Sequence, residues 1–165
     1  MTNNSTKSRA GYKSKFDSLG LADIVSADSI FSSSFAAAAY LDLHDFKATG
    51  KKVYIIGEVG IQDELDLCGP DDKDKVANFT PGSIVEHDAN VGAVIVGLDR
   101  NINYYKIQYA QLCINENHGC LFIATNTDAV THLTDAQEWA GNGSMVGAIN
   151  DVPAGNPSLL VNPVR

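Results

Sequence analysis

Residues 91–98 form an apolar run without polar alternation, from Val91 through Val94, Ile95 and Val96 to Leu98, and the run stops at Asp99. A short run of this kind reads as a strand buried on both faces. The period then changes. Tyr105, Tyr109 and Leu112 fall at i, i+4 and i+7, which predicts a helix over 103–115 with those residues on one face. Residues 117–119 break the helix, and 120–124 read as a second buried strand. A strand, a helix and a strand of these lengths make a crossover unit, which needs a parallel sheet around it. Ligands of such sheets bind outside the carboxyl ends of the strands. That rule singles out Asp99 and Arg100 after the first strand, and Thr125, Asn126, Thr127 and Asp128 after the second. The same residue types also cap helices and close turns, and periodicity alone favours that plainer role.

Around this unit the pattern predicts further elements. A helix over 7–18, capped by Ser5 or Thr6, would turn Tyr12, Phe16 and Leu19 inward and stop at Gly20. A short element at 24–27 precedes Ser32, Ser33 and Ser34, which lead into an alanine-rich helix over 35–41. No Gly-x-Ser-x-Gly elbow surrounds these serines, so they read as helix caps rather than nucleophiles. A strand at 53–56 turns at Gly57 and Gly60 into a helix over 61–68, stopped by Gly69 and Pro70. Residues 71–90 read as a polar excursion with one edge strand at 83–85, and 129–140 as a loop. Gly141 to Ser144 then opens a helix over 145–150. Its glycines suit an anion at a helix entrance and suit a plain capped turn equally. A last apolar run lies at 158–161.

With 165 residues, 44% of them hydrophobic and 19% charged, the chain suits one globular domain. A formal charge of −8 excludes the broad basic surface that nucleic acid requires, but leaves room for a small anion held by amides. The longest run of small and apolar residues, 35–41, is too short to span a bilayer, so no membrane partner is expected. Cys68, Cys113 and Cys120, and His44, His87, His118 and His132, show no metal-ligand spacing; the cysteines read as reduced thiols.

Several ordered blocks resemble a known family. The segment from Thr2, Asn3, Asn4 and Ser5 to Arg9, with Phe16 to Gly20 and Ile30 to Ser34, resembles a haloacid-dehalogenase-type phosphatase from its second motif onward. The blocks at 54–60, 94–100, 102–106 and 120–128 resemble the cap of the phosphoglycolate and 4-nitrophenyl phosphatase branch. Residues 132–139 and 141–145 are most similar to its plant and algal phosphoglycolate phosphatases. The resemblance implies an α/β fold with a C2-type cap domain at 46–152. Residues 1–45 would then be a remnant of a Rossmann-like core, and 153–165 a return segment towards it.

In that family a magnesium-dependent aspartate takes the phosphoryl group from a small phosphate monoester, with 2-phosphoglycolate the best match here. By resemblance Thr2, Asn3 and Asn4 contact the phosphate, while Thr131 and His132 lie on the cap loop that selects substrates. The same residues also read as a helix cap and a solvent-facing loop. The chain has no DxD followed by glycine, and the family's core lysine is absent from residues 161–165. The expectation is therefore no catalytic residue and no specific Mg²⁺ site in this chain, and no turnover by it alone. The alternative is a cap-derived dimerisation or interaction module. A homodimer through the cap is the partner that the resemblance adds, and the compartment is cytoplasmic as given, or the chloroplast if a transit segment has been lost.

Overall fold

The computed structural model describes residues 1–65, 82 and 84–150, together with the backbone of 159–160. Four parallel strands make the central sheet in the order β1 (Lys52–Ile56), β2 (Val91–Val96), β3 (Leu121–Ala124) and β6 (Leu159–Leu160). Ile56 pairs with Val96, and Val96 with Ala124, so the carboxyl ends of the first three strands lie level. The last apolar run of the chain supplies β6, which pairs with β3 through Ile123 and Ala124.

Alternation along the strands sorts the core into two layers. Tyr54, Ile56, Val94, Val96, Phe122 and Ala124 face α4 (Tyr104–Glu116) and α5 (Asn142–Asn150). Val53, Ile55, Ala93, Ile95 and Ile123 face α2 (Ser33–Leu43) and α3 (Val59–Leu65). Every residue of β2 is buried, as a strand covered on both faces must be. Asn103 caps α4 by accepting from the Lys106 amide at 3.0 Å, and Tyr105 and Tyr109 are buried as the period predicts. Leu112 is only half-buried; Ala110 and Cys113 fill that face instead. Burial pushes the Cys113 thiol up to about 12 and the Cys120 thiol up to about 11, so both stay protonated at neutral pH.

The structure corrects several expectations. Helix α1 (Arg9–Ser18) is capped by Ser8 rather than Ser5 or Thr6. It buries none of its residues, and Leu19 beyond it is 63% exposed. Gly20 takes the left-handed φ of +78° that ends it. The short element falls at Ala27–Ser29 as a 3₁₀ turn. Ile84 and Val85 are not in a strand, while Ser83, Cys68, Gly69 and Pro70 lie outside the described residues. Residues 129–140 are a hairpin rather than a loop, with β4 (Val130–Thr134) antiparallel to β5 (Gln137–Ala140). Its side chains are almost all exposed, so no apolar alternation marks it in the sequence. Helix α5 starts at Asn142, three residues earlier than the pattern suggests. No helix among the described residues is long and apolar enough to cross a membrane.

Residues 2–8 cross the carboxyl edge of the sheet as a strap. Thr2 forms a parallel bridge to Ser32, its amide donating to the Phe31 carbonyl at 2.9 Å. Further along, the strap touches α3 at Gly60, where a Cβ would lie 2.4 Å from the backbone of Lys7. Gly147, inside α5, has open space at the same test. Replacing Gly60 by alanine is expected to cost about 1–3 kcal/mol through overpacking. Gly147→Ala is expected to stabilise by roughly 0.5–1 kcal/mol, because the helix interior then loses less backbone entropy. Urea midpoints of the two variants should move in opposite directions.

Candidate functional site

A pocket of about 170 Å³ opens at the carboxyl edge of the sheet, where ligands of parallel sheets bind. Its floor is Leu98 after β2 and Asn126 and Asp128 after β3. The strap contributes Asn3, Asn4, Ser5 and Thr6, and the hairpin contributes Thr131, His132 and Leu133. The volume suits a small anion rather than a drug-sized ligand.

The strap is held there by side chains that satisfy its backbone. The Asn3 carbonyl accepts from Ser33 Oγ at 2.7 Å and from Asn126 Nδ2 at 2.8 Å. Ser34 Oγ donates to the Lys7 carbonyl at 3.1 Å, and Thr125 Oγ1 to the buried Ser5 Oγ at 3.2 Å. Of the three serines at 32–34, only Ser32 caps α2, by accepting from the Phe35 amide. The other two fasten the strap. Arg9 completes the attachment, donating to Glu64 and stacking over the Phe35 ring at 3.9 Å.

Asn142, at the start of α5, joins the same network. Its Nδ2 donates to the Asn126 carbonyl at 2.7 Å, with longer contacts to the Val96 carbonyl and Thr125 Oγ1. Its buried Oδ1 has no hydrogen-bond partner among the described residues. The sequence pattern treated Asn142 only as part of a glycine-rich helix entrance. That entrance is not an open anion cradle, because the Gly141 and Gly143 amides donate to the carbonyls of Ala129 and Asp128 at 2.9 Å each. Both glycines are required by that approach: a Cβ on Gly141 would lie 2.2 Å from the Asp128 oxygen, and one on Gly143 2.7 Å from that of Thr127.

The residues expected at a site divide as follows. Asn3, Asn4, Thr131 and His132, from opposite ends of the chain, line one pocket. Thr2 does not line it; its side chain meets Tyr12, whose hydroxyl is raised mainly by burial. Asn126 and Asp128 reach the pocket, whereas Thr127 does not. Asp99 is buried and paired with Lys106 Nζ at 2.6 Å, an internal anchor of the β2–α4 turn. Arg100 pairs with Glu58 at 2.7 Å, and its guanidinium holds that carboxyl below the ordinary range.

Among the described residues no lysine or arginine lines the pocket, and Asp128 is the one carboxylate that does. The available chemistry is therefore hydrogen-bond donation to an oxyanion by side-chain amides, hydroxyls and an imidazole. Mg²⁺ takes several oxygen ligands in near-octahedral geometry. Among the described residues no three His, Cys, Asp or Glu side chains gather. One carboxylate, already bonded to Asn3, does not meet that demand.

Residues 1–71 match the family of haloacid dehalogenase-like hydrolases. Over 169 aligned residues the chain is 58% identical to "Phosphoglycolate phosphatase 1A, chloroplastic" of Arabidopsis thaliana, covering 99% of this chain and 46% of the relative. It is 31% identical to 4-nitrophenylphosphatase of Schizosaccharomyces pombe, covering 99% and 56%. A p-nitrophenyl phosphatase structure from Archaeoglobus fulgidus superposes with a TM-score of 0.70 at 28% identity, over 97% of this chain and 53% of that one. The chain spans about half the length of the curated relatives it matches.

Asn126 fastens the strap to the end of β3 and also accepts from the Asp128 amide at 3.2 Å. Truncation to alanine removes one of the two donors to the Asn3 carbonyl and the acceptor of the Asp128 amide, at a cost of about 0.5–1.5 kcal/mol. Amide hydrogen exchange should show residues 2–8 losing protection before the central strands do.

Proposed function

Because the chain belongs to the haloacid-dehalogenase-like hydrolases, in the phosphoglycolate and 4-nitrophenyl phosphatase branch, we propose that its pocket seats the phosphate of a small monoester, best read as 2-phosphoglycolate. The observation that supports this reading is the convergence of Asn3 and Asn4 with Thr131 and His132 in one pocket at the carboxyl edge of a parallel sheet. In this proposal Asn3 and Asn4 donate to the phosphoryl oxygens. Thr2 sets the path of the strap through its bridge to Ser32. Thr131 and His132 contact the organic part of the ester. Residues 46–152 act as the cap, and 1–45 and 153–165 as the parts of a core to which the cap belongs.

The intact family carries out hydrolysis through an aspartyl phosphate, with magnesium offsetting the charge of the phosphoryl group. In this chain no DxD is followed by glycine, and among the described residues no lysine or arginine lines the pocket. The polypeptide by itself is proposed to bind the ester weakly and not to turn it over, because positioning does not replace the covalent nucleophile. Inorganic phosphate and 2-phosphoglycolate should stabilise the protein saturably, with a Kd on the order of millimolar for neutral donors alone. Ligand at ten times Kd would then add about 1.4 kcal/mol of stability. Asn4→Ala should weaken this response. Metal-dependent release of phosphate by the pure polypeptide would overturn the inactive part of the proposal, and a melting curve indifferent to both ligands would overturn the binding part.

A second reading, a homodimerising module, is favoured by the hairpin, whose Val130, Leu133 and Trp139 are each at least 40% exposed. Exposed apolar side chains on a two-stranded edge favour association with another chain. Light scattering at tens of micromolar should give twice the chain mass, and Leu133→Asp should return it to the monomer. A wild-type monomer at that concentration rejects this reading.

A further inference from the structure

We propose that Asp128 is an intramolecular competitor for the oxyanion seat, so that an entering phosphate must displace its carboxylate from Asn3. This rests on the reading of the pocket given above. Asn3 Nδ2 donates to Asp128 Oδ2, and both residues line the pocket. A hydrogen bond from an amide to an ionised carboxylate is of the stronger, charge-assisted kind, and it occupies the donor that a phosphoryl oxygen would use. Among the described residues no lysine or arginine lines the pocket, so an anion beside Asp128 meets a like charge.

The side chains of both partners are free to respond, because their backbones carry the structural attachments. The Asp128 amide donates to Asn126 Oδ1, and the Asp128 carbonyl accepts from the Gly143 amide. The Asn3 carbonyl accepts from Ser33 and Asn126. Breaking the link between the side chains therefore leaves the strap and the β3–β4 turn in place. The carboxylate sets a threshold: an anion enters only if its other contacts outweigh the bond it replaces.

The test measures inorganic phosphate binding by NMR, following the backbone amide signals of residues 3–6 at the pocket, in wild type, D128N, N3A and the double variant. Asp128→Asn should bind phosphate about two- to fivefold more tightly than wild type, the size of one exposed charge interaction. Wild-type affinity should rise as sodium chloride screens the carboxylate, while that of D128N should not. The gain from D128N should be smaller in the Asn3→Ala background: the part lost is competition for the Asn3 donor, and the part kept is like-charge repulsion. Equal or weaker binding by D128N, or a gain of the same size with and without Asn3, overturns the competition and leaves the phosphate site standing. If neither wild type nor D128N binds phosphate saturably, the site reading falls and the competition with it.

Discussion

The attachment of residues 2–8 across the carboxyl edge of the sheet is the constraint on which the site depends. An extended segment lying over strand ends cannot join their ladder, so its carbonyls must find other donors or be left unsatisfied. Ser33, Ser34 and Asn126 supply them. Each comes from an element already fixed by the core: the two serines from the first turn of α2, and Asn126 from the end of β3. The strap is thus positioned by the sheet and its helices, and it carries Asn3 and Asn4 to the pocket as a consequence.

The same edge shows how little charge the pocket has to work with. Arg100 and Lys106 stand near the strand ends, yet both are committed, to Glu58 and to Asp99. Among the described residues the lining holds one carboxylate, Asp128, and no lysine or arginine. Neutral donors can orient an oxyanion, but a dianionic ester loses much hydration on entering and gains no opposing charge. Recognition by shape and hydrogen bonding, with weak affinity, is what such a lining supports.

Glycines set the distances that make the arrangement close. Gly60 admits the backbone of Lys7, and Gly97, at the end of β2, lies where a Cβ would meet Ile61, Ser5 and Thr125 within 3.1 Å. Gly141 and Gly143 let α5 approach the turn that carries Asp128. At each place a side chain would push apart two elements that the pocket needs in contact. The polar network from Ser5 through Thr125 to Asn142 fills the space so created, and its members hold one another in fixed positions.

The sequence by itself determined the sheet and its direction. The unbroken apolar run of β2 and the i, i+4 spacing of Tyr105 and Tyr109 are local signals that survive any packing, and they led to a parallel α/β core and to the edge where ligands bind. The resemblance to a phosphatase family was also legible, because it rests on ordered residues rather than on contacts. The hairpin at 130–140 was not legible, since strands exposed on both faces carry no alternation. Nor were the separate duties of Ser32, Ser33 and Ser34, or the part played by Asn142. Hydroxyls and amides read as caps until their partners are known, and here the partners are distant: Thr125 meets Ser5 across 120 positions, and Asn126 meets Asn3 across 123. Only the tertiary structure could bring Asn3 and Asn4 to Thr131 and His132, because that meeting depends on the strap crossing the sheet, which no periodicity encodes.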